Sequence, residues 1–323
     1  MTGTEQKRIL VTGATGFVGR HLLAYLSTQA CQVTVLCKPD DPLRCVLPPE
    51  ARTGTADLAD APAVAAFLEE VQPDLVFHLA GLVRGDNLQQ LLAVNVLGTG
   101  HLLQAAANLP HPPRVVLPGS AAEVGQLDDP AVGADTPLRP LSAYGVSKAA
   151  QVLLGQTYAR QGRVPVVVGR IFNITGPGEP ATMLCGGMAA QIAACEAEEL
   201  PPLLHVGNLS PTRDYLDVRD AAVALWLLGW HGRPGAVHNI CSGQEQRVAD
   251  VVQQLVACAS QPVTLVPDPA RQRPSDIPRC VGVPDPWLAA AGWKPTIPLR
   301  HSLADTLAWW RAAHHLGPTA PIG

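Results

Sequence analysis

Charge is scarce in this 323-residue chain. Lysine and arginine number 23 against 27 acidic residues, 15% of the sequence in all, and the formal net charge is −4. There is no basic run, so nothing suggests electrostatic capture of nucleic acid or of an anionic membrane. Any phosphate on a ligand must then be held by a few placed groups. Long apolar runs are missing too, since none reaches the ~20 residues that span a bilayer. Met1 to Arg8 leads directly into a strand without a signal-peptide layout, and a cytoplasmic location is expected. The eight cysteines, at 31, 37, 45, 185, 195, 241, 258 and 280, form no C-x-x-C pair. The chain is also far longer than disulfide-stapled secreted domains, so buried free thiols are expected. The ten histidines show no H-E-x-x-H or similar spacing, and no structural metal is expected.

Apolar residues, by contrast, make up 47% of the chain. At this length roughly three quarters of the unfolded surface can be buried, which suits a compact enzyme. Apolar runs at Arg8–Val11, Gln32–Cys37, Leu75–Leu79, Arg114–Leu117 and Pro165–Gly169 alternate with helical patterns. Those helices are read at Phe17–Gln29, Ala61–Val71, Leu88–Leu109 and Ala143–Gln161. The alternation predicts an α/β fold, a Rossmann-type doubly wound parallel sheet covered on both faces. After Arg170 proline and glycine become frequent. A helix at Val218–Leu228 and a strand at Ala236–Cys241 are expected to return to the sheet. The chain thus divides into a dinucleotide-binding domain, residues 1–170 with 216–241, and a smaller irregular substrate-binding lobe, residues 171–215 and 242–316. Residues 317–323 are expected to fray.

Between the first strand and first helix stands Thr12-Gly13-Ala14-Thr15-Gly16-Phe17-Val18-Gly19. Glycines at every third position let the backbone approach a pyrophosphate, and the helix N-terminus supplies N–H donors with a partial positive charge. A tight turn alone would also explain the glycines; the place after the first strand favours dinucleotide binding. The acid that would meet an NAD ribose belongs at the end of the second strand. Cys37-Lys38 stands there, with Asp40 and Asp41 too late. Lys38 could pair with a 2′-phosphate, so NADP(H) is favoured and NAD(H) possible. Asp57-Leu58 could bracket the adenine, or Asp57 could simply form a turn.

Tyr144-Gly145-Val146-Ser147-Lys148 puts a phenol and an ammonium one helical turn apart. Reducing a ketone takes hydride on carbon and a proton on oxygen. A nearby ammonium favours the phenolate and is expected to lower the tyrosine pKa.

With the glycine-rich turn, this pair resembles the extended short-chain dehydrogenases that epimerise, dehydrate or reduce nucleotide sugars. Further matches are His78-Leu79-Ala80-Gly81, Asn95-Val96-Leu97-Gly98-Thr99, Arg170-Ile171-Phe172-Asn173 and Gly292-Trp293-Lys294-Pro295. The run Arg213-Asp214-Tyr215-Leu216-Asp217-Val218-Arg219-Asp220, with Arg273-Pro274-Ser275-Asp276, is similar to the branch that reduces or dehydrates GDP-hexoses. The resemblance implies a catalytic Ser120, Tyr144 and Lys148. Gly13, Thr15, Gly16, Phe17, Val18, Gly19, Lys38, Asp57, Leu58, Leu79, Ala80, Gly81 and Asn95 would join that pair at the dinucleotide. Asn173, Arg213, Arg273 and Asp276, with Ser120, would meet a nucleotide-diphosphate sugar, and the Thr182–Ala190 segment would help seat the base. It also implies a homodimer through the helices that carry Asn95 and Tyr144. Dehydratases of this branch need an acid two residues after the serine; Ala122 stands there and Glu123 is one late. NADPH-dependent 4-keto reduction is therefore expected before 4-epimerisation on bound NAD, with dehydration or a non-catalytic dinucleotide sensor further behind.

Overall fold

The computed structural model describes residues 6–43, 47–48, 51–84, 87–127, 129, 131–271 and 277–315. The chain opens with β1 (Lys7–Thr12), α1 (Phe17–Leu26), β2 (Cys31–Cys37), β3 (Arg52–Thr55), α2 (Ala61–Val71) and β4 (Leu75–His78). A continuous helical stretch follows: α3 (Leu88–Leu92), a π-helical turn (Ala93–Leu97) and α4 (Gly98–Ala107). Next come β5 (Arg114–Ser120), a 3-10 turn (Ala121–Glu123), β6 (Ala131–Val132), α5 (Ala143–Arg160), β7 (Val166–Ile171) and β8 (Asn173–Thr175). The order continues with α6 (Leu184–Glu196), β9 (Leu203–Val206), β10 (Thr212–Asp217), α7 (Val218–His231) and β11 (Val237–Ile240). It closes with β12 (Glu245–Arg247), α8 (Val248–Val256), β13 (Thr264–Pro267), β14 (Arg279–Gly282), α9 (Pro286–Ala290) and α10 (Leu299–His315).

Among the described residues, seven parallel strands form one sheet in the order β11-β7-β5-β4-β1-β2-β3. The strands are apolar on both faces because helices cover both. Ile9, Val11, Phe77, Val116 and Val167 face one core with α1 and α7; Leu10, Val76, Val115, Leu117 and Val166 face the other with α2 and α4. This alternation is the two-residue period of a strand. Each fully buried Val, Leu or Phe contributes roughly 1.5–3 kcal/mol. The strand order reverses between β1 and β4, so their carboxyl ends form a crevice where doubly wound sheets take ligands.

As expected, β11 returns to the sheet beside β7, and α7 covers the α1 face. The rest of the C-terminal half is better ordered than expected. Here α6, α8 and α10 enclose a core of their own, and β10 pairs with β8, β12 and β14. Helix α1 ends at Leu26 rather than Gln29, where the Ser27 and Thr28 hydroxyls donate to the Ala24 and Tyr25 carbonyls. None of the described cysteines forms a disulfide. Cys37, Cys185, Cys195, Cys241 and Cys280 are buried, whereas Cys31 and Cys258 are only half-buried. Cys45 and residues 317–323 lie outside the described residues.

The acidic run after Arg213 ties the parts together. The buried Asp214 carboxylate accepts from Ser242 N (2.8 Å), Ser242 Oγ (2.7 Å), Gly243 N (2.8 Å) and Gly282 N (3.2 Å). Asp217 caps α7 and shares Arg219 with Asp305 of α10. Asp220 accepts from Thr296 N, Thr296 Oγ1 and Ile297 N, and its carbonyl accepts from Trp293 Nε1. The G-W-x-P segment is thereby pinned to α7. Replacing Asp214 by alanine strands three backbone N–H groups, one of them buried, and should cost about 3 kcal/mol or more. Urea denaturation of Asp214→Ala measures that loss.

Candidate active site

The glycine-rich turn lies at the β1–β4 crevice. Gly13 has φ +68°, and a Cβ there would stand 2.5 Å from Ala80 N, so neither the conformation nor the space admits a side chain. Gly16 is the N-cap of α1. Its first turn has no side-chain cap and no acid, which leaves its N–H groups to an outside acceptor. A dinucleotide pyrophosphate fits that requirement. Phe17 and Gly19 are buried, and Val18 is half-buried.

Thr15 Oγ1 donates to Asp41 Oδ2 (3.0 Å), so the acid that the sequence places too late for the ribose approaches the glycine turn itself. Lys38 is exposed and 3.6 Å from Asp57. Asp57 also accepts from Ala59 N (2.9 Å), as a turn former does. The Leu58 carbonyl accepts from His101 Nδ1 (2.7 Å).

Leu79, Ala80 and Gly81 follow β4 along the same crevice. Asn95, in the π-helical turn, accepts from Leu82 N (2.7 Å) and donates to Leu82 O (2.9 Å) and Ser147 Oγ (2.9 Å). It orients the loop after β4 against α5; Thr99, not Asn95, makes the bond to the carbonyl four residues back. Such π turns recur at functional sites.

Beneath the crevice runs a buried polar chain that the sequence reading missed. Ala80 N donates to Thr12 Oγ1 (3.2 Å), which lies 2.8 Å from His78 Nδ1. His78 Nε2 lies 3.0 Å from Thr99 Oγ1, whose proton goes to Asn95 O (2.7 Å). Thr99 Oγ1 also accepts from Gln151 Nε2 (2.8 Å), and Gln151 Oε1 accepts from Lys148 Nζ. Burial, helped by the charge of Lys148, lowers the His78 pKa to about 3, so its imidazole is neutral.

Helix α5 brings the phenol to the site. Ser142 caps it, accepting from Gly145 N (3.0 Å). A Cβ on Gly145 would lie 2.4 Å from Ala122 O, so only glycine lets the helix N-terminus approach the turn after β5 this closely. The partly exposed Tyr144 thereby reaches a side-chain hydrogen bond with Ser120. Ser120 also makes the local bond of a strand-end serine, accepting from Ala122 N (3.2 Å).

Burial raises the Tyr144 pKa; the Ser120 bond opposes the rise and the charge of Glu123 adds to it. The expected lowering by Lys148 is not found. The ammonium is buried and held at Gln151, and burial lowers it to about 8 against the pull of Glu123. Glu123 is itself fully buried. It accepts from Arg170 Nε (2.6 Å) and Ser120 N (3.1 Å), which turns it into a brace for the serine.

The NAD dependent epimerase/dehydratase family model matches residues 9–241, across both the glycine-rich turn and the Tyr144–Lys148 helix. The chain belongs to that family. It is an NAD(P)-dependent enzyme of the extended short-chain dehydrogenase type. It is 32% identical over 312 residues to the GDP-6-deoxy-D-mannose reductase of Pseudomonas aeruginosa, covering 95% of this chain and 98% of that protein. The solved structure of RMD from Pseudomonas aeruginosa complexed with NADPH superposes with a TM-score of 0.82, at 31% identity over 95% of this chain and 99% of that one. The Thermus thermophilus UDP-glucose 4-epimerase, in complex with NAD, gives 0.83 at 26% identity, over 95% and 99%.

The residues that the family resemblance assigns to the nucleotide sugar are placed less completely. Asn173 Nδ2 donates to Asp214 O (3.2 Å). Arg213 Nη1 donates to the Thr212 and Ile277 carbonyls (2.8 and 2.6 Å). Arg273 and Asp276 lie outside the described residues. The segment expected to seat the base becomes α6 from Leu184 onward, with Cys185 to Ala189 buried in packing; Thr182 O accepts from Arg84 Nη2 (2.5 Å) of the loop after β4. Nothing in the sequence points to Arg84.

The Gly145 contact yields a direct test. In Gly145→Ala the added methyl must push Ala122 away and separate Tyr144 from Ser120. A stability loss of about 1–3 kcal/mol is expected in a thermal melt, with activity falling further than stability does.

Proposed function

We propose that the enzyme reduces the 4-keto group of a nucleotide-diphospho-4-keto-6-deoxyhexose with NADPH, foremost GDP-4-keto-6-deoxymannose to GDP-rhamnose or its 4-epimer. The observation that carries this reading is the close approach of α5 to the turn after β5, which sets Tyr144 beside Ser120 with Lys148 one helical turn further on; burial raises the phenol's pKa. Such a tyrosine is protonated at neutral pH, the state a general acid needs. The relatives that carry the reductase name and the bound NADPH lean the same way.

When bound, the dinucleotide supplies the hydride. Gly13, Thr15, Gly16, Phe17, Val18 and Gly19 would hold its pyrophosphate; Lys38, Asp57 and Leu58 its adenosine end; Leu79, Ala80, Gly81 and Asn95 the crevice wall. Tyr144 gives its proton to the carbonyl oxygen, Ser120 polarises that oxygen, and Lys148 holds the nicotinamide ribose beside the phenol. Asn173, Arg213, Arg273 and Asp276 would receive the nucleotide diphosphate. Ala122 offers no proton for dehydration, and Glu123 is committed to Arg170. Exposed Leu97, on the π-helical turn that carries Asn95, and exposed Val146 and Leu153, on α5, support a homodimer, and the cytoplasm suits cysteines outside any disulfide.

Purified protein should oxidise NADPH with GDP-4-keto-6-deoxymannose, and Tyr144→Phe should lower kcat by ~10²–10⁴ with an unchanged melting temperature. Absence of turnover with every 4-keto nucleotide sugar overturns the reading, and NAD released on denaturation would point to the epimerase instead. For the cofactor, Lys38→Ala should raise the KM for NADPH roughly tenfold and leave that for NADH nearly unchanged, as loss of one charged contact to a 2′-phosphate requires.

A further inference from the structure

The hydrogen bonds around Thr99 can be read in only one direction. The Thr99 hydroxyl has a single proton, and Asn95 O takes it. Its oxygen must therefore accept from both other neighbours, His78 Nε2 and Gln151 Nε2. Neutral His78 then carries its proton on Nε2, and Nδ1 accepts from Thr12 Oγ1, which in turn accepts from the backbone N–H of Ala80. With its NH₂ end committed to Thr99, Gln151 can present only its oxygen to Lys148. The reversed amide would set two donors against an ammonium and an acceptor against an oxygen with no free proton. Gln151 and Thr99 are almost wholly inaccessible, so water cannot repair either mismatch.

We propose that Gln151 is the positioning residue for Lys148. Its amide oxygen holds the ammonium at its place in the crevice, while Thr99 and His78 hold the amide. The inference rests on the role given above to Lys148 beside Tyr144. It goes beyond that reading by assigning a function to a residue one turn further along α5. The charged or titratable groups that act on Lys148 are Glu123, from the turn after β5 and backed by Arg170, and His78, from β4; Tyr144 precedes it by one turn on α5 itself. Of these only Glu123 bears a negative charge, and Arg170 shares it. Gln151 is thus the neutral acceptor that favours the charged lysine. Removing it must make Lys148 lose its proton at lower pH, and a carboxylate in its place must make it keep the proton longer.

The test follows the Lys148 side chain by NMR in full-length protein carrying ¹³Cε-labelled lysine, with its signal assigned from Lys148→Met, with and without NADPH. The titration midpoint should fall by about one pH unit in Gln151→Leu and rise by a similar amount in Gln151→Glu. In turnover, Gln151→Leu should lose roughly tenfold in kcat, with its alkaline limb moved to lower pH and the sugar KM within about twofold. Gln151→Glu should recover most of kcat with the limb moved up. An unmoved midpoint in a folded Gln151→Leu overturns the proposal, as does a Gln151→Glu variant as slow as Gln151→Leu with an unmoved limb. If Gln151→Leu does not fold, the midpoint of Gln151→Glu decides alone. The NMR titration needs no substrate, so failure here is separable from failure of the reductase reading, which the Tyr144→Phe comparison decides.

Discussion

Helix α5 can meet the turn after β5 only because position 145 lacks a side chain, and the rest of the site depends on that approach. The turn is braced from below. Glu123 holds the backbone N–H of Ser120, and Arg170 neutralises Glu123 while donating to the Gly133 carbonyl. Burying such a pair costs solvation, and it persists where every remaining polar atom finds a partner. Here both carboxylate oxygens are used. The result is a serine and a tyrosine whose separation is set by backbone contacts on both sides.

The same economy recurs on the other side of the crevice. A sheet this apolar tolerates polar groups only when they satisfy one another. Thr12, His78, Thr99 and Gln151 do so in a line that starts at a backbone amide beside the glycine turn and ends at the lysine. A neutral imidazole suits this line because it donates at one nitrogen and accepts at the other. The pyrophosphate and the nicotinamide ribose of the dinucleotide would therefore bear on one connected set of hydrogen bonds.

Much of the sheet was legible in the sequence because β1, β2, β4, β5 and β7 are apolar runs between helical patterns. Strand β3, Arg-Thr-Gly-Thr at the sheet edge, buries too little to leave an apolar signal. The second helix-rich core was obscured by prolines. Yet α8 carries Val248, Val251, Val252 and Leu255 at helical spacing, and α6 is held by burial despite Gly186 and Gly187. In the site, the Tyr144–Lys148 spacing and the glycine turn could be read locally. Gln151 with Thr99, and Glu123 with Arg170, could not, because each pair joins residues about fifty apart. The tyrosine shift was expected with the wrong sign: burial, with the charge of Glu123, outweighs the Ser120 bond, and Lys148, held at Gln151, does not lower it.

In the proposed reduction the protonated phenol of Tyr144 is the donor to the sugar carbonyl. The chemistry then comes down to where the hydride ends. Single turnover with NADPH carrying deuterium at the transferable C4 position, and GDP-4-keto-6-deoxymannose as acceptor, measures this directly. The reductase predicts one dinucleotide oxidised per sugar and deuterium at sugar C4. Product free of deuterium, or formed without net oxidation of NADPH, would contradict it.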